Sequence, residues 1–227
     1  MIVYGRQVCR VLFSRHPELV REIFLAREIA RSEFDEIRKL GVPIHRIDAQ
    51  KAQALARGGN HQGWLCEVAP YRYADFSSLK NADFLVVLAG LTDIGNIGAV
   101  IRTAYALGAD GLVVAGIRRL QSEGAVRASA GAMFDLPVAI APNLLDILNE
   151  LRQSGFTLYG ADAAGEDIRG IDIAPRRVLV LGSEGEGIPR RALEKLDRRV
   201  AVAMARPFDS LNVGAAAAIL IDRMRDA

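Results

Sequence analysis

Cysteine is nearly absent: the 227 residues contain two, Cys9 and Cys66, in no Cys-x-x-Cys pair. That excludes a disulfide framework and a zinc site of ordinary spacing, and it suits a reducing cytoplasm. Histidine is scarce as well. His16, His45 and His61 all lie in the front third, so the rest of the chain holds no His-based triad and no His-rich metal site. No apolar run reaches the roughly 18 residues needed to span a bilayer, and Met1-Ile2-Val3-Tyr4-Gly5-Arg6 has no signal-peptide core. A cytoplasmic protein without membrane partners is expected. Neither Gly-x-Gly-x-x-Gly nor Gly-x-x-x-x-Gly-Lys-Ser/Thr occurs, so dinucleotide binding of the Rossmann type and P-loop nucleotide hydrolysis lack their fingerprints. Lysine is rare too, with 4 against 25 arginines. Arginine suits bidentate phosphate recognition, although a high-GC genome produces the same bias.

At 51% hydrophobic residues the chain can bury a core of its own. Its net charge of +2 is unevenly distributed: residues 1–80 carry 13 basic and 9 acidic side chains, residues 81–227 carry 16 and 18. The front section reads as short alternating elements. Helices are expected over Gly5–Phe13, Ser32–Leu40 (opened by a serine cap) and Ala49–Ala56, and strands at Ile23–Leu25, Pro43–Ile47 and Trp64–Val68. Residues 70–80 lose this periodicity. The expected organisation is therefore a small α/β domain over 1–69, a linker over 70–80 and a larger α/β domain over 81–227. In the larger domain Phe84–Leu88, Leu112–Ala115, Thr157–Tyr159, Val178–Leu181 and Val200–Ala203 are short apolar runs, as expected of parallel strands covered on both faces. Between the first two, Asn96–Leu107 places Ile97, Val100, Ile101, Ala104 and Leu107 on one helical stripe, with Arg102 off it and free to meet a ligand.

Three segments put glycine and polar residues directly after an apolar strand, where open α/β sheets bind ligands. They run from Leu91 through Asn96 and Arg102 to Ala104, from Leu179 through Gly182 and Glu184 to Pro189, and from Met204 through Ser210 and Asn212 to Val213. Each has a purely structural alternative. Asp93 or Asn96 can cap a helix, Gly182, Gly185 and Gly187 can serve tight turns with Pro189 at the first helical position, and Ser210 or Asn212 can be an N-cap. Cys66, inside the apolar run Trp64–Val68, reads as a buried inert thiol rather than as a partner of His61.

Together the segments resemble the three motifs of the SpoU (TrmH-like) RNA methyltransferases: Asn96-x-Gly98-x-x-x-Arg102-Thr103-Ala104, Leu181-Gly182-Ser183-Glu184-Gly185-Glu186-Gly187, and Ser210-Leu211-Asn212-Val213. Residues 1–69, closing on His61-Gln62-Gly63, resemble the substrate-binding domain that precedes this core in the ribosomal-RNA branch. The resemblance implies an α/β fold with a C-terminal trefoil-knotted parallel sheet, a homodimer, and S-adenosyl-L-methionine as cofactor, contacted by Gly182, Val202 and Leu211. It implies ribose 2′-O-methylation of structured RNA without a metal. Arg102 would be the central catalytic residue, Asn96 and Glu184 would position it or the substrate, and Ser210 and Asn212 would complete the pocket. The favoured substrate is a guanosine of 23S ribosomal RNA, with a transfer-RNA ribose or a non-catalytic RNA-binding role as alternatives. Arg206 and Gly214 depart from the family pattern, which bears on the fit of the RNA.

Overall fold

The computed structural model describes residues 1–206 and 209–225. The front region is built from β1 (Ile2–Tyr4), α1 (Arg6–Arg15), β2 (Val20–Leu25), α2 (Arg31–Arg38), β3 (Ile44–Arg46), α3 (Ala49–Leu55) and β4 (Trp64–Val68). Its four strands form a mixed sheet in the order β1-β4-β2-β3, with β4 antiparallel to both neighbours and β3 parallel to β2. Helix α2 departs from the expectation. It starts at Arg31 after Ala30, so Ser32 lies inside the first turn and caps nothing. Cys9 and Cys66, 57 positions apart, meet in this core with Sγ atoms 3.8 Å apart. Both are free, and burial beside Cys9 pushes the Cys66 thiol up, as suits an inert side chain.

Residues 70–80 are packed rather than loose. They include α4 (Phe76–Leu79), capped by Asp75, whose carboxylate accepts from Ser77 N at 3.1 Å. Tyr71 and Tyr73 donate their hydroxyls to the carbonyls of Met133 and Leu120, each at 3.0 Å. Burial raises both phenol pKa values. The sequence signal that suggested a linker was the loss of periodicity, and periodicity is blind to an extended segment fastened by tyrosine hydroxyls.

The larger sheet follows from β5 (Phe84–Ala89), α5 (Ile94–Ala106), β6 (Gly111–Ala115), α6 (Ser122–Ala128), β7 (Val138–Ala141), α7 (Leu144–Gln153), β8 (Thr157–Asp167), β9 (Arg177–Gly182), α8 (Arg190–Leu193), β10 (Arg198–Ala201) and α9 (Val213–Met224). All six strands are parallel, in the order β10-β8-β9-β5-β6-β7. Strand β7 was not anticipated: four residues of Val-Ala-Ile-Ala are too short and too alanine-rich to declare a strand. Strand β8 is much longer than expected, because after Gly160 its pairing with β10 jumps from Arg199↔Gly160 to Val200↔Glu166 and residues 161–165 bulge outward. All six residues of β5 are buried, and successive side chains serve opposite faces. Val86 and Leu88 join Ile97, Val100, Ile101, Leu220 and Ile221 on one side, while Leu85 and Val87 join Leu148 and Leu151 on the other.

The chain builds β5, β6 and β7 outward to one side and then returns to place β9 and β8 on the other, so the order reverses at β5 and β9. From edge strand β10 it comes back again, and α9 docks on α5, β9 and residues 168–170. Buried Arg177 fixes this return. Its guanidinium lies 4.5 Å from the centre of the Phe84 ring and donates to the carbonyls of Pro175 at 2.6 Å and Arg225 at 2.8 Å. The two regions share one hydrophobic core, in which Val3, Val8 and Leu12 lie with Val126, Met133 and Leu136. Polar contacts frame it: His16 Nε2 lies 2.9 Å from Asp135 Oδ1, Arg15 pairs with Asp135 at 3.0 Å, and Arg127 hydrogen-bonds the Tyr4 hydroxyl.

Candidate active site

The C-terminal ends of β5, β9 and β10 lie at the order reversal, where strands diverge and leave a crevice. After β5, Asp93 caps α5 by accepting from Asn96 N at 2.7 Å, which leaves the Asn96 side chain free of capping duty. The helix buries Ile97, Val100, Ile101 and Ala104 and leaves Arg102 exposed, as the stripe predicts. Gly98 allows α6 to approach, since a Cβ there would stand 2.2 Å from the Cβ of Ala128.

After β9 the chain makes a tight loop. Ser183 N donates to Gly187 O at 3.3 Å and Gly187 N to Ser183 O at 2.9 Å, with Gly185 and Gly187 at φ 92° and 66°. Gly182 lies against the base of that loop: a Cβ would sit 2.1 Å from the carbonyl carbon of Gly187. Pro189 precedes the short helix α8 as its N-cap rather than as its first residue. After β10, Asn212 caps α9 by accepting from Gly214 N at 2.9 Å and Ala215 N at 3.4 Å. Pro207 and Phe208 of this third segment lie outside the described residues.

The three segments meet through Asn212. Its amide nitrogen donates to Glu184 Oε1 at 2.6 Å and to Asn96 Oδ1 at 3.2 Å, and Val213 N donates to the same Glu184 oxygen at 3.3 Å. One asparagine thus caps a helix with its oxygen and bridges the other two segments with its nitrogen. Beside this bridge opens a cavity of about 1060 Å³ whose walls include Gly182, Val202, Ser210 and Leu211 as well as Glu184. Asn96, Asn212 and Arg102 do not line it, and among the described residues Arg102 has no hydrogen-bond or ion-pair partner. Gly214 has a geometric reason to be small: a Cβ would lie 3.1 Å from Asn212 Oδ1 and 3.5 Å from the Cβ of Ala99 on α5.

The sequence motifs do not reveal the acidic wall. Asp162, Asp167, Glu184, Glu186 and Asp209 line the cavity against Arg206 alone among basic residues. Arg169 hydrogen-bonds Asp167 at 2.6 Å and holds its carboxyl below the usual range, and Arg199 lies 3.4 Å from Asp162. Asp162 belongs to the bulge of β8. The run Gly160-Ala161-Asp162-Ala163-Ala164-Gly165, small residues around one carboxylate straight after an apolar strand, is the signal that could have found it. Such a lining repels phosphate and suits a compact, positively charged ligand with apolar parts, the apolar surface coming from Leu181, Ile188, Val202 and Leu211. Among the described residues no cluster of metal-ligating side chains occurs, and no helix is long and apolar enough to cross a membrane.

An all-parallel sheet whose C-terminal helix returns across it, with three strand-end segments joined around a pocket, defines an α/β methyltransferase of the knotted class. The sequence matches the SpoU rRNA Methylase family over residues 83–222 and the RNA 2′-O ribose methyltransferase substrate-binding family over residues 2–74. An Archaeoglobus fulgidus protein named, without characterization, as a tRNA/rRNA methyltransferase is 37% identical over 198 residues, 84% of this chain and 83% of that one. Bacillus subtilis YacO, named provisionally as a TrmH-family tRNA/rRNA methyltransferase, is 33% identical over 88% of this chain and 85% of its own. The structure of the SpoU methyltransferase AviRb from Streptomyces viridochromogenes in complex with AdoMet superimposes with a TM-score of 0.79 at 26% identity, covering 99% of this chain and 88% of that one. The chain belongs to the SpoU family of tRNA/rRNA methyltransferases.

Proposed function

We propose that this protein transfers the methyl group of S-adenosyl-L-methionine to a ribose 2′-hydroxyl of structured RNA, with a guanosine of 23S ribosomal RNA as the favoured target and a transfer-RNA ribose as the alternative. The observation that carries the reading is the Asn96–Asn212–Glu184 bridge, which ties the three strand-end segments together beside a pocket of acidic and apolar lining. The AdoMet complex of AviRb supports the choice of cofactor, and the match to a ribose methyltransferase substrate-binding family supports the position of the methyl group.

Bound S-adenosylmethionine would supply a methyl group activated by a positively charged sulfur. Gly182, Val202 and Leu211 would hold it, largely through backbone groups, and the carboxylates of the wall complement its positive charge. In-line displacement requires the ribose oxygen, the methyl carbon and the sulfur to be aligned, so the protein's contribution is placement and charge. Arg102 stays protonated, with an ordinary guanidinium pKa of about 12.5 or above. We therefore assign it to stabilising the alkoxide that develops at O2′ and a neighbouring phosphate. Asn96 and Glu184 keep their places through Asn212, and Ser210 closes the pocket mouth. We further propose a cytoplasmic homodimer joined through the face of α9 that carries exposed Ile219, which predicts a dimer at micromolar concentration in sedimentation velocity.

The deciding experiment incubates the protein with tritiated S-adenosylmethionine and RNA from a strain lacking the gene, then maps the label by alkaline hydrolysis and sequencing. An alkali-resistant dinucleotide at one guanosine of 23S RNA is expected, and label on a base would overturn the reading. Arg102→Ala should cut transfer by a factor of about 100 or more. Its fold and S-adenosylmethionine affinity should be unchanged.

A further inference from the structure

The motifs leave unused a second hollow on the same edge of the large sheet, beyond the ends of β6 and β7. It measures about 660 Å³ and is lined by Tyr73, Ala74, Arg118, Arg119, Ile140 and Pro142. Arg118 and Arg119 follow β6 directly, and both are exposed. Among the described residues neither forms an ion pair or a hydrogen bond. Their neighbours in the front region behave differently: Arg6 and Arg10 share Glu33 at 2.6 and 3.2 Å, and Arg15 is held by Asp135 at 3.0 Å. The hollow's back wall is built rather than accidental. Tyr73 is fixed by its hydrogen bond to Leu120 O and by an edge-on contact with Tyr71, ring centres 5.0 Å apart, while Ala74 N donates to Val138 O at 2.9 Å along β7.

We infer that this hollow is a nucleotide subsite for RNA flanking the target: the backbone phosphate meets the Arg118 and Arg119 guanidiniums and the base lies on the Tyr73, Ile140 and Pro142 surface. The inference rests on the RNA reading above and gives it a path. An anchored ring with apolar neighbours offers a face on which any base can stack. A guanidinium presents a planar fork that matches phosphate oxygens, and two side by side without carboxylates meet a phosphodiester without first breaking an internal pair. Position argues the same way. Strands stand about 4.8 Å apart in a sheet, and β5 and β6 lie between β9 and β7, so the hollow lies roughly 10–15 Å along the edge from the Glu184 loop. Both openings lie on the same edge, and the cofactor pocket, acidic as it is, offers no berth for phosphate. RNA entering the site must therefore find its phosphate partners on the β6 and β7 side.

The test uses the full-length protein and an end-labelled single-stranded RNA of mixed sequence, titrated at several salt concentrations. The Arg118→Ala, Arg119→Ala double variant should bind about ten-fold more weakly, and its slope of log K against log salt should be shallower by about 1.4, at about 0.7 per phosphate for single strands. Thermal unfolding and S-adenosylmethionine affinity should stay at wild-type values. A control variant, Arg190→Ala with Arg191→Ala on α8, removes equal charge elsewhere and should leave the slope unchanged. Unaltered affinity and slope in the first variant, or an equal fall in the control, overturns the subsite. A wild-type protein that transfers no methyl group to ribose would defeat the reading on which the subsite rests, yet the binding titration would still decide whether the hollow takes RNA.

Discussion

The front region and the large domain use charge in opposite ways. The front carries the surplus, 13 basic against 9 acidic residues, yet Arg6, Arg10 and Arg15 are consumed in ion pairs that fasten helices or join the two regions. The large domain is net negative, yet the edge of its sheet holds Arg102, Arg118 and Arg119 exposed and unpaired among the described residues. Net charge along a sequence therefore locates a basic surface less well than the pairing of individual side chains does. Exposed ion pairs stabilise by only about 0–1 kcal/mol each, but they neutralise a cation that would otherwise be available to phosphate.

The sharpest way to break this contrast is to separate the regions. Removing residues 1–80 would strip Tyr71 and Tyr73 from the large domain and uncover β7 together with the core around Val126 and Met133. A chain of residues 81–227 should aggregate. One of residues 70–227 keeps the tyrosines and the cover of β7, and should stay soluble enough to bind S-adenosylmethionine while losing RNA affinity. Size-exclusion chromatography and calorimetry of the two truncations check this, and equal behaviour would show that the 70–80 segment does not stabilise the large domain.

A smaller effect is expected at Gly182. The Cβ of Gly182→Ala would collide with backbone at Gly187 and Ile188, which cannot rotate away as a side chain can. Stability should fall by about 1–3 kcal/mol, the usual cost of overpacking. S-adenosylmethionine affinity should fall with it, while RNA binding by the front region and by Arg118 and Arg119 should persist. Titration calorimetry with each ligand separates these outcomes.

The smallest effect on stability belongs to Asn212, whose two tasks can be pulled apart. Asn212→Ala loses the cap of α9 and should cost about 1 kcal/mol. Asn212→Asp keeps the capping oxygen but faces the Glu184 carboxylate with a second one where the amide donated at 2.6 Å, so the helix should hold while the bridge opens. Both variants should lose most methyl transfer. Thermal melts alongside turnover would show whether the cap and the bridge are independent.

Much of this arrangement was legible beforehand. The apolar runs marked five of the six strands of the large sheet, and the stripe on α5 placed Arg102 outward because helical period and burial agree there. Gly182, Val202 and Leu211 were named as one pocket's walls through resemblance, and they do line one cavity. Three features escaped for physical reasons. Strand β7 lacks the length and β-branched content that signal a strand, the 161–165 bulge depends on a register jump against a strand some forty residues away, and the fastening of 70–80 depends on tyrosine hydroxyls reaching distant carbonyls. The Asn96–Asn212 bond spans 116 positions, and periodicity within a segment carries no information about such a pairing.

That separation also sets a clock for the nascent protein. Synthesis delivers the chain from its N-terminus, so the front sheet and strands β5 to β7 can fold before the third segment has been made. Until Asn212 emerges, the Asn96 side chain lacks its bridge and Glu184 lacks its donors. The enzyme is thus assembled around its RNA-facing surfaces first, and its site for chemistry is joined only after the chain has come back to α5. A partly made protein can hold RNA before it is able to modify it.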